Sequence, residues 1–181
     1  LRARAFIVAT DGPEAARLLG DKPRPSRGTT CFYFAAPKAP FDGPYLVLNG
    51  DGCGLINSLL CPSNLSSAYA PPGRALINVN VFDAGENPDV LETNLRKQLA
   101  TWYGDLVEEW HRLAVYRLPA AMPRGAPAKP LRIQDWLWVC GEYAAPPSIH
   151  WALASGNSVA DAVAGSLRSG GSSIPAHSTA G

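Results

Sequence analysis

The chain has 181 residues, room for one ordinary domain or two small lobes, and is 46% apolar and 17% charged, the balance of a globular protein with a sizeable core. Sixteen basic and fifteen acidic residues leave a net charge of +1 with no block of like sign, which argues against a phosphate-backbone footprint and hence against a nucleic-acid partner. Apolar runs such as Ala5 to Ala9 are far too short to span a bilayer.

Leu1-Arg2-Ala3-Arg4 carries neither a Met nor a signal-peptide apolar region, so the chain reads as beginning mid-protein, just before a buried strand. Ala5 to Thr10 is expected to be that strand, short and fully buried. Asp11-Gly12-Pro13 turns the chain, Pro13 suits a first helical position, and a helix is expected over Glu14 to Leu19 with Gly20 as its stop. Asp21 to Gly28 is rich in Pro and Arg and reads as a linker or domain crossing.

A β-rich stretch comes next. Thr29 to Ala36 is dense in β-branched and aromatic residues, and Tyr45 to Leu48, Leu55 to Leu60 and Ala75 to Phe82 are further strand candidates. Gly, Pro, Asn and Asp clusters at 49–54 and 70–74 separate them, and such short turns imply antiparallel pairing. Asn87-Pro88 is a good helix start, Leu91, Leu95, Leu99 and Trp102 recur at steps of three and four, and Gly104 closes the helix. Glu109 to Leu118 is expected to rejoin the sheet as a strand.

Residues 119–130 hold four prolines and read as an extended crossing. Trp136 to Cys140 is a buried-strand candidate, Gly141 to Pro147 a tight loop, and Ser148 to Leu167 a helix. Ile149, Ala152, Leu153, Gly156, Val159, Ala160 and Val163 are assigned to its apolar face. The tail from Ser169 to Gly181, mostly Gly, Ser and Ala, is expected to be disordered. A strand–helix unit therefore comes first, a sheet with one helix is inserted, and a strand–loop–helix unit returns, which implies two lobes crossed twice by the chain.

The four cysteines (Cys31, Cys53, Cys61, Cys140) show no C-x-x-C spacing, which excludes a zinc site of the usual kind. They read as buried thiols, with a Cys53–Cys61 disulfide as the alternative. No Ser/His/Asp or Cys/His grouping is local enough to support covalent hydrolysis.

The segment with the most chemical content is Leu137-Trp138-Val139-Cys140-Gly141-Glu142-Tyr143, continued by Pro147-Ser148-Ile149-His150-Trp151-Ala152-Leu153-Ala154-Ser155-Gly156. It places a glycine and then a carboxylate at the end of a buried strand, followed by a helix start. Glycine lets backbone approach a ligand, the carboxylate accepts from sugar-like hydroxyls, and the first helical turn offers N–H groups and a positive dipole end. Together these suit a ligand carrying hydroxyls and negative charge, such as a nucleotide or flavin.

Those residues resemble the C-terminal flavin-binding signature of the amine oxidase family, which includes protoporphyrinogen oxidases and phytoene desaturase-like enzymes. That signature runs from a hydrophobic strand through Gly-Asp or Gly-Glu and a short loop to Ser-Ile-x-Gly-Ala and Ser-Gly. Ala5 to Leu19, Tyr69 to Leu76, and Tyr116-Arg117-Leu118-Pro119 with Ala121-Met122-Pro123 are similar to other segments of the family, in the same order. The resemblance covers residues 3–168, and its specific part is 137–160.

The resemblance implies α/β combined with α+β: part of a Rossmann-like FAD-binding lobe flanking a substrate domain built on a mixed or antiparallel sheet. Residues 1–24 would end the first FAD-lobe segment, 25–120 form the substrate domain, 121–168 the returning FAD-lobe segment, and 169–181 the tail. FAD is the implied cofactor. Glu142 would contact its ribityl and pyrophosphate region, Ser148, Ile149 and Ala152 would face the flavin ring, and Gly141 and Gly156 would serve close packing. A small organic substrate would give a hydride from a C–N or C–C bond. The isolated chain is expected to be inactive, because the N-terminal G-x-G-x-x-G region of the same polypeptide would supply the other half of the site. Gly50-Asp51-Gly52-Cys53-Gly54 lacks that spacing and reads as a turn.

Two departures stand out. Trp151 occupies a position where the family usually has Gly, and Val159 one where Ala is common. Neither Lys38 nor Lys97 sits in the context of the lysine that some amine oxidases place near the flavin, which weighs against amine oxidation as such. The alternative function is a non-catalytic binding or scaffold protein of the same fold, with Trp151 filling the flavin's place. Among further candidates, His150 would face ligand or solvent, Arg117 a substrate carboxylate or solvent, and Phe32, Tyr33, Phe34, Tyr45 and Trp102 a substrate pocket or the core. His111 and His177 have no partner in view.

Overall fold

The computed structural model describes residues 2–82, 85, 87–125 and 130–168. The expected disorder of 169–181 and part of the expected 119–130 crossing lie outside them. In chain order the strands are β1 (Phe6–Val8), β2 (Ser26–Ala36), β3 (Leu46–Leu48), β4 (Ile56–Leu60), β5 (Ala75–Phe82), β6 (His111–Pro123), β7 (Arg132–Gln134) and β8 (Leu137–Val139). The α-helices are α1 (Gly12–Leu19), α2 (Pro62–Leu65), α3 (Pro88–Tyr103) and α4 (Ile149–Arg168), with 3-10 turns at Ser67–Tyr69 and Gly104–Glu109. The chain divides into two compact units. One comprises the described residues up to Ser26 with those from Met122 onward, the other Arg27–Ala121.

In the first unit a mixed three-stranded sheet has the order β1-β8-β7. β1 and β8 are parallel, with Phe6 opposite Leu137, Ile7 opposite Trp138 and Val8 opposite Val139, and β7 returns antiparallel to β8. Alternate residues of a strand point to opposite faces. Val139 accordingly packs with Ala15 and Ala16 of α1, while Trp138 and Cys140 pack with Val159 and Val163 of α4. α1 starts where Asp11 Oδ1 accepts the Glu14 N–H at 2.9 Å and ends at Gly20, whose φ of 70° is open to glycine without cost.

Two expectations change here. β1 is not fully buried: Phe6 and Ile7 are 36% and 46% exposed, because β1 is an edge strand with a partner on one side only. The buried stripe of α4 is Ser155, Val159 and Val163 with Ala152 half-buried, whereas Ile149 and Leu153 are 82% and 66% exposed. The buried row follows the four-residue steps of Ser155, Val159 and Val163, the last two packing on Trp138 and Cys140, whereas Ala160, also assigned to this face, is exposed.

In the second unit a five-stranded sheet has the order β3-β4-β5-β2-β6, and the β2–β5, β3–β4 and β4–β5 pairings are antiparallel. The inward residues Phe32, Phe34, Leu59, Ile77, Val79 and Val81 form one core with Leu91, Leu95 and Leu99 of α3. Burial of each such side chain stabilises by about 1.5–3 kcal/mol. Asn87 caps α3 by accepting the Asp89 N–H at 2.8 Å. Arg96 ties the helix to the 3-10 turn at its end, donating to the carbonyls of Val107 at 2.8 Å and Trp110 at 2.7 Å with its guanidinium over the Phe34 ring.

All four cysteines are free, so the Cys53–Cys61 alternative is not formed. Cys61 and Cys140 are buried and Cys31 partly so, but Cys53 is exposed on the glycine-rich turn. Burial pushes the Cys61 thiol up to about 11. Among the described residues, no helix is long and apolar enough to cross a membrane, and no group of three His, Cys, Asp or Glu could hold a metal ion.

Candidate functional site

Parallel pairing of β1 and β8 brings their carboxyl ends to one edge of the sheet. Val8 accepts the Cys140 N–H at 3.0 Å, and the two strands run out side by side into Thr10-Asp11 and Gly141-Glu142. Gly141 has φ 84°, a conformation that suits glycine. The turn it makes is closed by the Ala144 N–H donating to its carbonyl at 3.1 Å.

That turn aims the Glu142 side chain at the start of α1. Its Oε1 accepts the N–H of Gly12 at 3.0 Å, and a Cβ on Gly12 would stand 3.3 Å from the same oxygen. The first turn of α1 thus meets two carboxylates, Asp11 and Glu142, at the positive end of its dipole. Each residue of the turn is held from a different direction. Gly141 N–H donates to Ser155 Oγ at 2.9 Å. The Glu142 carbonyl accepts from Arg24 Nη1 at 3.3 Å. The Tyr143 hydroxyl donates to the Asp21 carboxylate. Burial above all, then the hydrogen bond and charge of Asp21, push the Tyr143 phenol up to about 12, with Arg24 pulling the other way.

Ser148 caps α4: its Oγ accepts the Trp151 N–H at 3.2 Å and its carbonyl accepts the Ala152 N–H at 2.9 Å. Of the five residues assigned to a cofactor, Gly141 and Glu142 stand together at the sheet edge, with Glu142 engaged by α1. Ser148 closes the start of α4, Ile149 is exposed there, and Ala152 is half-buried one turn on. Trp151 is 49% exposed, with its indole edge-on to the exposed His150 ring at 5.5 Å. Gly156 does not serve close packing, because an added Cβ would meet nothing within 4 Å.

The remaining candidates separate by burial. Phe32 and Phe34 are core and Trp102 packs against it, whereas Tyr33 is half-buried with its ring edge-on to Tyr116, and Tyr45 is exposed. Arg117 lines a cavity of about 160 Å³ with Thr30 and Pro119. His111 opens β6 and is exposed, and His177 lies outside the described residues. Sequence reasoning missed Asp11, Asp21, Arg24, Tyr143 and Ser155. Asp11 had a local signal as an acid two residues before a helical proline, and Ser155 as the serine of the Ser-Gly pair in the resembled segment.

No protein-family model matches this chain, and no curated protein matches it. Solved structures do. A putative protoporphyrinogen oxidase from Exiguobacterium sp. 255-15 aligns with a TM-score of 0.66 at 15% identity, over 88% of this chain and 40% of that one. A geranylgeranyl bacteriochlorophyll reductase-like protein from Thermoplasma acidophilum aligns with 0.62 at 16% identity, over 93% and 43%. An oxidoreductase from Methanosarcina mazei aligns with 0.58 at 16% identity, over 83% and 37%. The chain spans about two fifths of the length of these proteins, and at such identities what it shares with them is a fold.

Proposed function

We propose that this chain is the C-terminal part of an FAD-dependent oxidoreductase of the amine oxidase type. The observation that carries the reading is the meeting of Glu142 with the first turn of α1 at the carboxyl edge of the parallel β1–β8 pair. Ligands of open α/β sheets bind in crevices at such edges. The donor set fits a nucleotide cofactor. Glu142 spends one oxygen on Gly12 and keeps the other for a ribityl hydroxyl, Gly141 admits close backbone approach, and exposed Ile149 offers an apolar surface to a flat ring.

In this reading the flavin supplies hydride acceptance from a C–N or C–C bond of a small organic substrate. The chain's part is to bind and orient. Glu142 fixes the sugar chain, while Ser148, Ile149 and Ala152 present the start of α4, whose dipole favours negative charge beside it. Residues 25–120 form the substrate domain, 1–24 and 121–168 belong to the cofactor lobe, and the G-x-G-x-x-G region that holds the ADP half lies elsewhere in the same polypeptide.

The test is a visible spectrum of the longest natural polypeptide that contains this chain. Yellow protein with oxidised-flavin bands is expected, together with weak or no FAD retention by the 181-residue chain alone. Colourless protein that takes up no added FAD would overturn the proposal in favour of a scaffold with Trp151 in the flavin's place. Stoichiometric nanomolar binding by the 181-residue chain would overturn the division of the site.

A further inference from the structure

We infer that Arg24 is a positioning residue for Glu142. Its guanidinium reaches three main-chain carbonyls on two segments far apart in sequence: Glu142 at 3.3 Å, Arg124 at 3.1 Å and Gly125 at 2.5 Å. The Arg124 N–H in turn donates to the Pro25 carbonyl at 2.7 Å. Residues 24–25 and 124–125 therefore form a clasp, and the Glu142 carbonyl is attached to it. A planar fork of five N–H donors can serve three acceptors at once, whereas the point charge of lysine cannot hold them in the same plane.

The consequence falls on one side chain. Gly141 is fixed to α4 through Ser155, its carbonyl accepts the Ala144 N–H, and the Tyr143 hydroxyl is tied to Asp21, so the turn is held on both sides of Glu142. Arg24 adds the hold on the Glu142 carbonyl itself. With the backbone set, the carboxylate meets the Gly12 N–H. Without Arg24 that hydrogen bond has to be made by a mobile peptide, at an entropic cost. The bearing of Arg24 on cofactor binding rests on the function proposed above.

The Gly12 amide is the reporter. In the 181-residue chain, R24Q is expected to speed hydrogen exchange at Gly12 about tenfold while leaving the Val139 amide, which donates to Leu131 in the sheet, unchanged. R24K, which keeps the charge and loses the fork, is expected to show most of the same acceleration. Unchanged exchange at Gly12 in both variants would overturn the inference, and so would equal acceleration at Gly12 and Val139, which marks a general loss of stability. In a flavin-binding polypeptide containing this chain, R24Q should also weaken FAD binding about tenfold. Intact affinity there, with Gly12 loosened, would refute the link to the cofactor. A wild-type protein that takes no flavin would refute the proposed function and leave the Gly12 result to decide the positioning role alone.

Discussion

The N–H of Gly141 donates to Ser155 Oγ at 2.9 Å, and the same hydroxyl donates to the Ala152 carbonyl at 3.0 Å. One buried serine thus joins the turn after β8 to the second turn of α4, with its single proton and a lone pair both used. S155A would leave the Gly141 N–H unpaired beside the helix. A loss of about 1–3 kcal/mol is expected, measured by urea unfolding at neutral pH. A cost below about 0.5 kcal/mol would show that water replaces the hydroxyl without penalty.

Gly54 is required for a steric reason. Its φ is 81°, and a Cβ there would come within 2.4–2.5 Å of the Gln98 carboxamide. That carboxamide is not free to move away, because its Oε1 accepts the N–H groups of Leu55 at 2.8 Å and Ile56 at 3.1 Å. G54A is expected to cost about 2–3 kcal/mol, from backbone strain together with the displaced hydrogen bonds. Q98A alone should cost less, and the double variant less than the sum, since the clash needs both groups. Strict additivity in thermal unfolding of the four proteins would contradict this geometry.

Several elements were legible from local chemistry. β5 has the expected bounds, α3 starts at Pro88 and stops before Gly104, and α1 stops before Gly20 but starts at Gly12, two residues ahead of the expected Glu14. β6 runs on to Pro123, past Pro119, because it lies at the sheet edge, where a missing N–H costs little. β7 is three residues long and leaves no periodic trace. The hydrogen bond between Gly12 and Glu142 spans 130 positions, so no local pattern could report it. The burial of α4 differs for another reason: helical spacing groups Ile149 and Leu153 with Val159, whereas the row that is buried is Ser155, Val159 and Val163, whose valines pack on Trp138 and Cys140.

Tyr143 gives the first unit an alkaline limit. Its phenol is raised from the usual 10 to about 12, so the folded state favours the protonated form. An unfolded tyrosine releases its proton near 10, and between these values the unfolded chain binds fewer protons than the folded one. This contribution to stability is therefore complete below about pH 10 and is lost as the pH rises towards 12. Y143F should flatten that part of the stability–pH curve while also losing the hydrogen bond to Asp21. An unaltered slope between pH 10 and 12 in Y143F would assign the alkaline loss to other groups.

Trp138 is 7% exposed, and its indole Nε1 has no hydrogen-bond partner, so the core beneath α4 retains an uncompensated desolvation cost. The indole offsets this by packing against Val159 and Val163 and by lying under the Arg132 guanidinium at 5.2 Å. Phenylalanine would keep an aromatic face for Arg132 and remove the unsatisfied donor, at the cost of a smaller ring and the cavity it leaves. These terms oppose one another, and W138F is expected to change stability by about 1 kcal/mol or less. W138A, which loses the ring entirely, should cost about 3–5 kcal/mol. The contrast is the test. If W138F proves as damaging as W138A, the indole N–H has an acceptor such as a buried water, and the donor in this core is satisfied after all.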